Sequence, residues 1–169
     1  MHKRKWLSGT LMMMLPCLSF ADATLTLSGN VVASPCTVDT DTESKMVDLG
    51  TIQRRDLQTA GEGGEWQDFD LLLTQCPAGT SKVTATFSGT VDTQDATAWK
   101  NSGTSGNMAL RIASRDHAIA YAPGNILEEN VNISTRSATF PLSARMFTPQ
   151  GNATAGTFQS VMNIEFTWQ

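Results

Sequence analysis

The sequence contains few of the side chains that carry out catalysis in enzymes. Its 169 residues include two histidines and three cysteines; His2 lies at the extreme N-terminus, and His117 stands near a predicted turn. No group of histidine, cysteine and carboxylate residues has the spacing of a metal site. The glycine-rich segment 61–64 contains Glu62 and precedes Glu65, which argues against a phosphate-cradling loop. We therefore expect no enzyme activity, no metal and no cofactor.

The chain also lacks an apolar run long enough to span a bilayer. Its longest apolar stretch, residues 6–20, follows three basic residues and ends near the small residues Ser19 and Ala21. This pattern is typical of a secretory signal peptide over residues 1–21, with cleavage after Ala23 as an alternative. Cys17 raises the possibility of a lipid anchor, but Pro16 replaces the small residue that lipoprotein processing requires.

Positive charge is scarce once this leader is removed. Nine basic residues then face sixteen acidic ones, which gives a net charge of −7. This balance argues against nucleic acid or an anionic membrane surface as a partner.

Two cysteines remain after the leader, Cys36 and Cys76. In an exported protein an even pair of cysteines favours a disulfide. The bridge would close a loop of 40 residues and stabilise the fold by about 4 kcal/mol.

The remaining sequence favours β-strands, because apolar residues alternate with polar ones over short segments bounded by turn residues. A polar loop is expected at 90–106, and the turn at 149–152 predicts that the strands on either side pair with each other. About seven short strands in one domain indicate an all-β, immunoglobulin-like sandwich. The predicted strands cover residues 30–38, 46–49, 66–75, 82–88, 108–112, 138–147 and 157–168.

The start of the exported chain forms a second pattern. The run from Leu25 to Val38 is long for one strand, whose usual length is about 5–6 residues. We therefore expect residues 22–34 to extend away from a domain that begins at residue 35. The apolar face of this predicted extension consists of Ala23, Leu25, Leu27, Gly29 and Val31.

The C-terminal strand ends the chain without a further strand to cover it. Its apolar face would be an aggregation hazard if it stayed uncovered. Something other than this domain is therefore expected to cover the edge. The residues that share this face of the predicted strand are Phe158, Ser160, Met162, Ile164, Phe166 and Trp168.

In combination, these features resemble the pilins of chaperone–usher (type 1) pili. The markers are Cys36 after the N-terminal strand, the Val-Asp-Leu-Gly segment 47–50, Cys76 in segment 72–77, and Gly156 fourteen residues from the C-terminus. Trp168 stands at the penultimate position, where the family usually has tyrosine. Segments 21–38, 60–66 and 76–89 are similar to the minor tip-adaptor type, which lies next to the adhesin.

The resemblance implies a sandwich that lacks its last strand. A periplasmic chaperone would lend a strand to the resulting groove, and at an outer-membrane usher the N-terminal extension of a neighbouring subunit would replace it. The product would be a cell-surface pilus that supports adhesion. The residues expected at the chaperone and acceptor groove are Gly156, Phe158, Met162, Ile164, Phe166 and Trp168.

Two alternatives remain open from the sequence. A major shaft pilin would carry the same markers. A self-contained, exported sugar-binding sandwich could use Trp66, Trp99 and Tyr121 as a stacking platform, with Trp99 in the polar loop as the best exposed candidate and Trp66 expected in the core.

Overall fold

The computed structural model describes residues 35–169. The predicted leader 1–21, which contains Cys17, and the predicted extension 22–34 lie outside the described residues. The regular structure of the described residues consists of eight strands, one short helix at Thr40–Glu43 and a 3-10 turn at Arg54–Asp56. The strands are β1 (Thr37–Val38), β2 (Gln67–Thr74), β3 (Lys82–Gly89), β4 (Trp99–Lys100), β5 (Ala109–Ser114), β6 (Ile126–Asn130), β7 (Ala138–Phe147) and β8 (Met162–Trp168).

The strands form two antiparallel sheets. The five-stranded sheet has the order β1-β2-β7-β5-β4, and the three-stranded sheet has the order β6-β3-β8. This arrangement, with almost no helix, confirms the all-β sandwich predicted from the alternating pattern. The two inner faces pack into one core, in which Phe87, Phe140 and Leu142 are fully buried. Each such side chain contributes about 1.5–3 kcal/mol by leaving water.

The prediction that the strands on either side of residues 149–152 pair with each other is wrong. The first of them, β7, pairs with β2 and β5, whereas the second, β8, pairs with β3 in the other sheet. Both edges of β7 are already occupied, so the chain crosses between the layers before β8 begins. A turn motif predicts that the chain reverses direction, but it does not predict which sheet contains the next strand.

The predicted disulfide is confirmed. Cys36 and Cys76 are bonded, and both are buried. Cys36 immediately precedes β1, and Cys76 follows β2, so the bridge lies beside the Thr37–Thr74 and Val38–Leu73 register pairs. It covalently joins the first described residues to the end of β2, the strand that pairs with β1.

The aromatic residues considered for sugar binding lie elsewhere than predicted. Trp99 belongs to β4 inside the expected polar loop and is fully buried, and its indole N–H donates a hydrogen bond of 2.8 Å to the carbonyl oxygen of Tyr121. Tyr121 is also buried. Trp66, expected in the core, is half-buried just before β2. Trp99 and Tyr121 are part of the core, so the three aromatic residues do not form an exposed platform for stacking on a sugar.

Replacing Trp99 tests this placement. We expect Trp99→Ala to lower the free energy of unfolding by about 3–5 kcal/mol, because it leaves a large cavity. Trp99→Phe should cost about 1–3 kcal/mol, since it removes the partner of a buried carbonyl. Urea unfolding measures both values. An exposed Trp99 would instead give changes within about 0.5 kcal/mol.

Three short segments differ from the sequence-based expectation. Residues 46–49 form no strand, and of the described part of the predicted first strand only Thr37–Val38 is a strand. The sequence analysis did not predict β6, because apolar and polar residues do not alternate clearly over its five residues.

In β6, Glu128 and Glu129 face opposite sides, as expected for neighbours in a strand. A hydrogen bond from Lys82 and its charge lower the pKa of Glu128, whereas burial raises the pKa of Glu129.

Candidate functional site

Strand β8 lies at the edge of the three-stranded sheet. One side of β8 pairs with β3 over seven residues, from Val83 opposite Trp168 to Gly89 opposite Met162. On its other side, no strand within residues 35–169 pairs with it. A backbone edge of this kind presents a row of N–H and C=O groups to a partner.

A groove of about 1170 Å³ runs along this edge. One wall is β8 with residues 158–161, and the other wall is segment 42–50, which begins in the last two residues of the short helix and continues as irregular chain. The floor is the inner face of the five-stranded sheet. It is apolar and is formed by Phe69, Leu71, Leu110, Ile112, Ala144 and Met146.

Most of the predicted acceptor residues face this groove. Phe158, Met162, Ile164 and Phe166 line it, are half-buried and pack against the core. The ring of Phe166 lies 5.4 Å from that of Phe140. Trp168 also packs against the core but lies beyond the groove lining. The alternating phase of β8 therefore points one continuous row of apolar side chains inward.

Gly156 lies outside the groove and is exposed. A Cβ atom at this position would approach the backbone nitrogen of Ser105 to 2.5 Å. Backbone hydrogen bonds join the same two segments, from the N–H of Ser105 to the carbonyl oxygen of Thr157 at 3.0 Å and from Ser102 to Gln159 at 2.7 Å. Gly156 thus permits the close approach that places Phe158 at the end of the groove.

We expect Gly156→Ala to lower the free energy of unfolding by about 1–3 kcal/mol, because the added methyl group would push the two segments apart. The neighbouring substitution Ala155→Ser is a matched control, since Ala155 is exposed. The midpoints of urea unfolding compare the two. Equal midpoints for both variants would contradict the role given to Gly156.

Sequence reasoning missed the second wall and the rim of the groove. Met46 is 93% exposed and Val161 is 62% exposed, although both are large apolar residues lining the groove. The Oγ atom of Ser160 is buried without a hydrogen-bond partner among the described residues. Residues 46–49 were predicted to be a strand, and nothing in the sequence indicated that they form a wall of the groove. Val161 was not predicted at the groove because it falls between the alternating positions of the apolar face.

Residues 35–169 contain no group of three or more histidine, cysteine, aspartate or glutamate side chains placed to hold a metal ion. None of the helices in this range has the length and apolarity needed to cross a membrane. His117 stacks on Trp66, with the ring centroids 4.3 Å apart.

Comparisons with known proteins agree with this geometry. The sequence profile of the family described as "Fimbrial protein" matches residues 25–169. The chain is 43% identical to protein FimG of Escherichia coli K12 over 148 residues, covering 88% of this chain and 86% of FimG. It is 38% identical over 169 residues to the fimbrial-like protein YdeR of the same strain, covering 100% and 98%.

Solved structures show the same fold at low sequence identity. The P pilus rod subunit PapA superimposes with a TM-score of 0.66 at 18% identity, covering 80% of this chain and all of PapA. The P pilus adaptor subunit PapF superimposes with a TM-score of 0.53 at 13% identity, covering 83% of this chain and all of PapF.

Proposed function

This chain belongs to the fimbrial protein family and is a chaperone–usher pilus subunit, and from this premise we propose that it joins its neighbours by exchanging β-strands. Its groove accepts the N-terminal extension of one subunit, and its own residues 22–34 enter the groove of another. The family is one of structural subunits that assemble into surface pili, and we assign this chain no catalytic role.

The observation that carries the proposal is the free edge of β8 above an apolar floor. An extended strand added there forms main-chain hydrogen bonds along β8, while its alternate side chains enter the groove. The predicted apolar face of residues 22–34 suits such a floor. Leu25, Leu27 and Val31 would each contribute about 1.5–3 kcal/mol when buried, and each main-chain hydrogen bond would add about 0.5–1.5 kcal/mol.

The proposed domain organisation follows from the same arrangement. Residues 1–21 are a cleaved leader, residues 22–34 are the donor extension, and residues 35–169 are the sandwich. The extension would join the sandwich next to Cys36, whose bond to Cys76 ties that point to the sheet. Tension along the pilus would therefore pass into β2 through a covalent bond.

Before assembly the groove needs a temporary occupant. The exposed side chains of Met46 and Val161 and the free edge of β8 would otherwise favour aggregation. We assign this protection to a strand of a periplasmic chaperone, which the extension of the next subunit replaces at the outer-membrane usher.

Among pilus subunits, we favour a minor tip adaptor that links the adhesin to the shaft. The similarity of segments 21–38, 60–66 and 76–89 to the tip-adaptor type and the 43% identity to FimG support this role. The second candidate is a major shaft pilin, and the structural similarity to the rod subunit PapA is compatible with it. The two differ in neighbours, because a shaft subunit must accept its own extension.

Peptide binding to residues 35–169 separates these roles. One peptide has the sequence of residues 22–34, and others have the N-terminal extensions of fimbrial subunits encoded by the same organism. For an adaptor, we expect at least one foreign peptide to bind about tenfold or more tightly than the chain's own peptide, a difference of about 1.4 kcal/mol. Tightest binding of its own peptide would identify a shaft subunit.

A groove variant tests the binding site itself. Ile164→Asn should weaken peptide binding by about ten- to a hundredfold, because it places an unsatisfied amide against an apolar floor. Ile126→Asn is the matched control, since Ile126 is exposed on β6 at the far edge of the same sheet. Equal effects of the two substitutions on fluorescence anisotropy would refute the groove as the peptide site.

A further inference from the structure

The outer face of the five-stranded sheet, opposite the groove floor, carries two arginines side by side. Arg145 of β7 lies directly across from Arg111 of β5 in the strand register. Like charges in this position destabilise a sheet, so each cation requires compensation. The two arginines receive very different compensation.

Arg111 is paired with a carboxylate. Its Nη2 atom donates to the Oδ2 atom of Asp95 at 2.5 Å, and its guanidinium lies 4.0 Å from the centre of the Phe147 ring. Burial alone would raise the pKa of Asp95, but hydrogen bonds from Thr97 and the charge of Arg111 hold that pKa below its ordinary value. The carboxylate of Asp95 is therefore fully engaged.

Two other acidic residues on this face, both in β2, are also engaged. Asp70 accepts a hydrogen bond from Arg115 at 2.7 Å. Asp68 accepts a hydrogen bond from Ser143 and lies 3.6 Å from Arg115. These contacts pair Arg115 with both aspartates, which leaves neither of them free to neutralise a further arginine.

Arg145 has an aromatic neighbour but no anion. Its guanidinium lies 4.7 Å from the centre of the Trp66 ring, and no carboxylate lies within 4.0 Å of it in residues 35–169. Asp22 is the only acidic residue in the sequence outside that range. Burial lowers the pKa of Arg145, and the charge of Arg111 lowers it further.

The Nε atom of Arg111 is buried without a hydrogen-bond partner among the described residues, although its Nη2 atom donates to Asp95. The Nε atom of Arg145 is likewise buried without such a partner. The guanidinium is thus partly withdrawn from water, which weakens the screening of its charge. A carboxylate is the ligand that matches a guanidinium best, because two parallel N–H···O bonds can form.

We propose that Arg145, flanked by Trp66 and Arg111, is a docking point for a carboxylate carried by a neighbouring subunit of the same pilus. Pilus subunits lie next to one another in the filament, and this chain, with sixteen acidic residues, shows that such a subunit can present many carboxylates. The contact is separate from strand exchange, since it lies on the other face of the sheet.

The first experiment asks whether the site binds a carboxylate. In the full exported chain with its groove filled by a donor strand, the side-chain N–H signals of Arg145 and Trp66 are followed by NMR during titration with sodium acetate. We expect saturable shifts with acetate and none with sodium chloride at equal ionic strength. Absence of a saturable shift would make Arg145 a purely structural partner of Trp66 and would overturn the proposal.

Variants identify the residue responsible. Arg145→Gln should abolish the acetate-dependent shift of Trp66, and Arg145→Lys should weaken it, because lysine keeps the charge and loses the planar fork. Arg55→Gln is the control, since the Arg55 side chain is 83% exposed and forms an ion pair with the adjacent Asp56. A thermal melt of each variant shows whether the fold is retained.

A second experiment identifies the source of the carboxylate. Arg145→Gln should reduce the binding of neighbouring subunits by roughly three- to tenfold at low salt, with a smaller difference at high salt. Peptide binding in the groove should stay unchanged, which distinguishes this contact from strand exchange. Acetate binding without any change in subunit association would indicate a small acidic ligand and would overturn the assignment to a neighbouring subunit.

Discussion

Fusing a copy of residues 22–34 to the C-terminus of residues 35–169 through a short flexible linker should raise the melting temperature by about 15 °C or more. The fused strand would follow β8 through a hairpin, run antiparallel to its free edge and cover the groove. Burial of Leu25, Leu27 and Val31 would supply roughly 4.5–9 kcal/mol. Calorimetry or circular dichroism measures the difference between the fused and unfused chains.

The controls depend on the two faces of the donor strand. Leu25→Asn and Leu27→Asn in the fused copy should remove most of the gain, because these side chains would face the groove floor. Thr24→Asn and Thr26→Asn should leave it nearly unchanged, because they belong to the opposite face. If residues 35–169 alone melt as high as the fused chain, the sandwich is complete and strand exchange is refuted.

Removing the disulfide should produce the second large effect. Replacing Cys36 and Cys76 by serine is expected to lower the free energy of unfolding by about 4 kcal/mol, because the unfolded chain loses a cross-link over a loop of 40 residues. Both positions are buried, so the serine hydroxyls add a desolvation cost. Urea unfolding of the double variant and of the wild type quantifies the change.

Two comparisons make this result specific. The wild-type chain in excess reductant should approach the stability of the double variant. Cys17→Ser should leave the exported protein unchanged, because Cys17 belongs to the predicted leader. A loss below about 1 kcal/mol for the double variant would show that packing alone holds the start of β1 against β2.

The disulfide also bears on assembly. It lies at the point where the proposed extension meets the sandwich, and β1 contributes only two residues to the sheet. Two residue pairs are a weak attachment for a strand that would carry load. We therefore expect the reduced protein to lose the anchoring of its extension before the central strands unfold, which hydrogen exchange at Thr37 and Val38 would detect.

The long strands were predictable because their signal is local. β7 matches its predicted bounds, and β2, β3 and β8 lie within one to five residues of theirs. In each of them apolar residues alternate with polar ones, and this period directly records one buried and one outward face. The Cys36–Cys76 bridge was predictable for a different reason, since the exported chain has only two cysteines to pair.

The short strands were harder to predict. β4 has two residues and lies in a polar stretch. Its buried Trp99 donates a hydrogen bond to the carbonyl oxygen of Tyr121, 22 residues away, and belongs to the same core cluster as Phe87 of the other sheet. Burial of this kind depends on which segments meet in space. Neither composition nor period contains that information.

The sequence by itself determined the fold class, the covalent cross-link and the apolar face of the last strand, because each depends on neighbouring residues or on a simple count. Only the tertiary structure decided that β7 and β8 lie in opposite sheets, that residues 42–50 wall the groove, and that Arg145 faces Arg111 without an anion. These features arise from contacts between residues far apart in the chain, and the order of strands in the sheets sets those contacts.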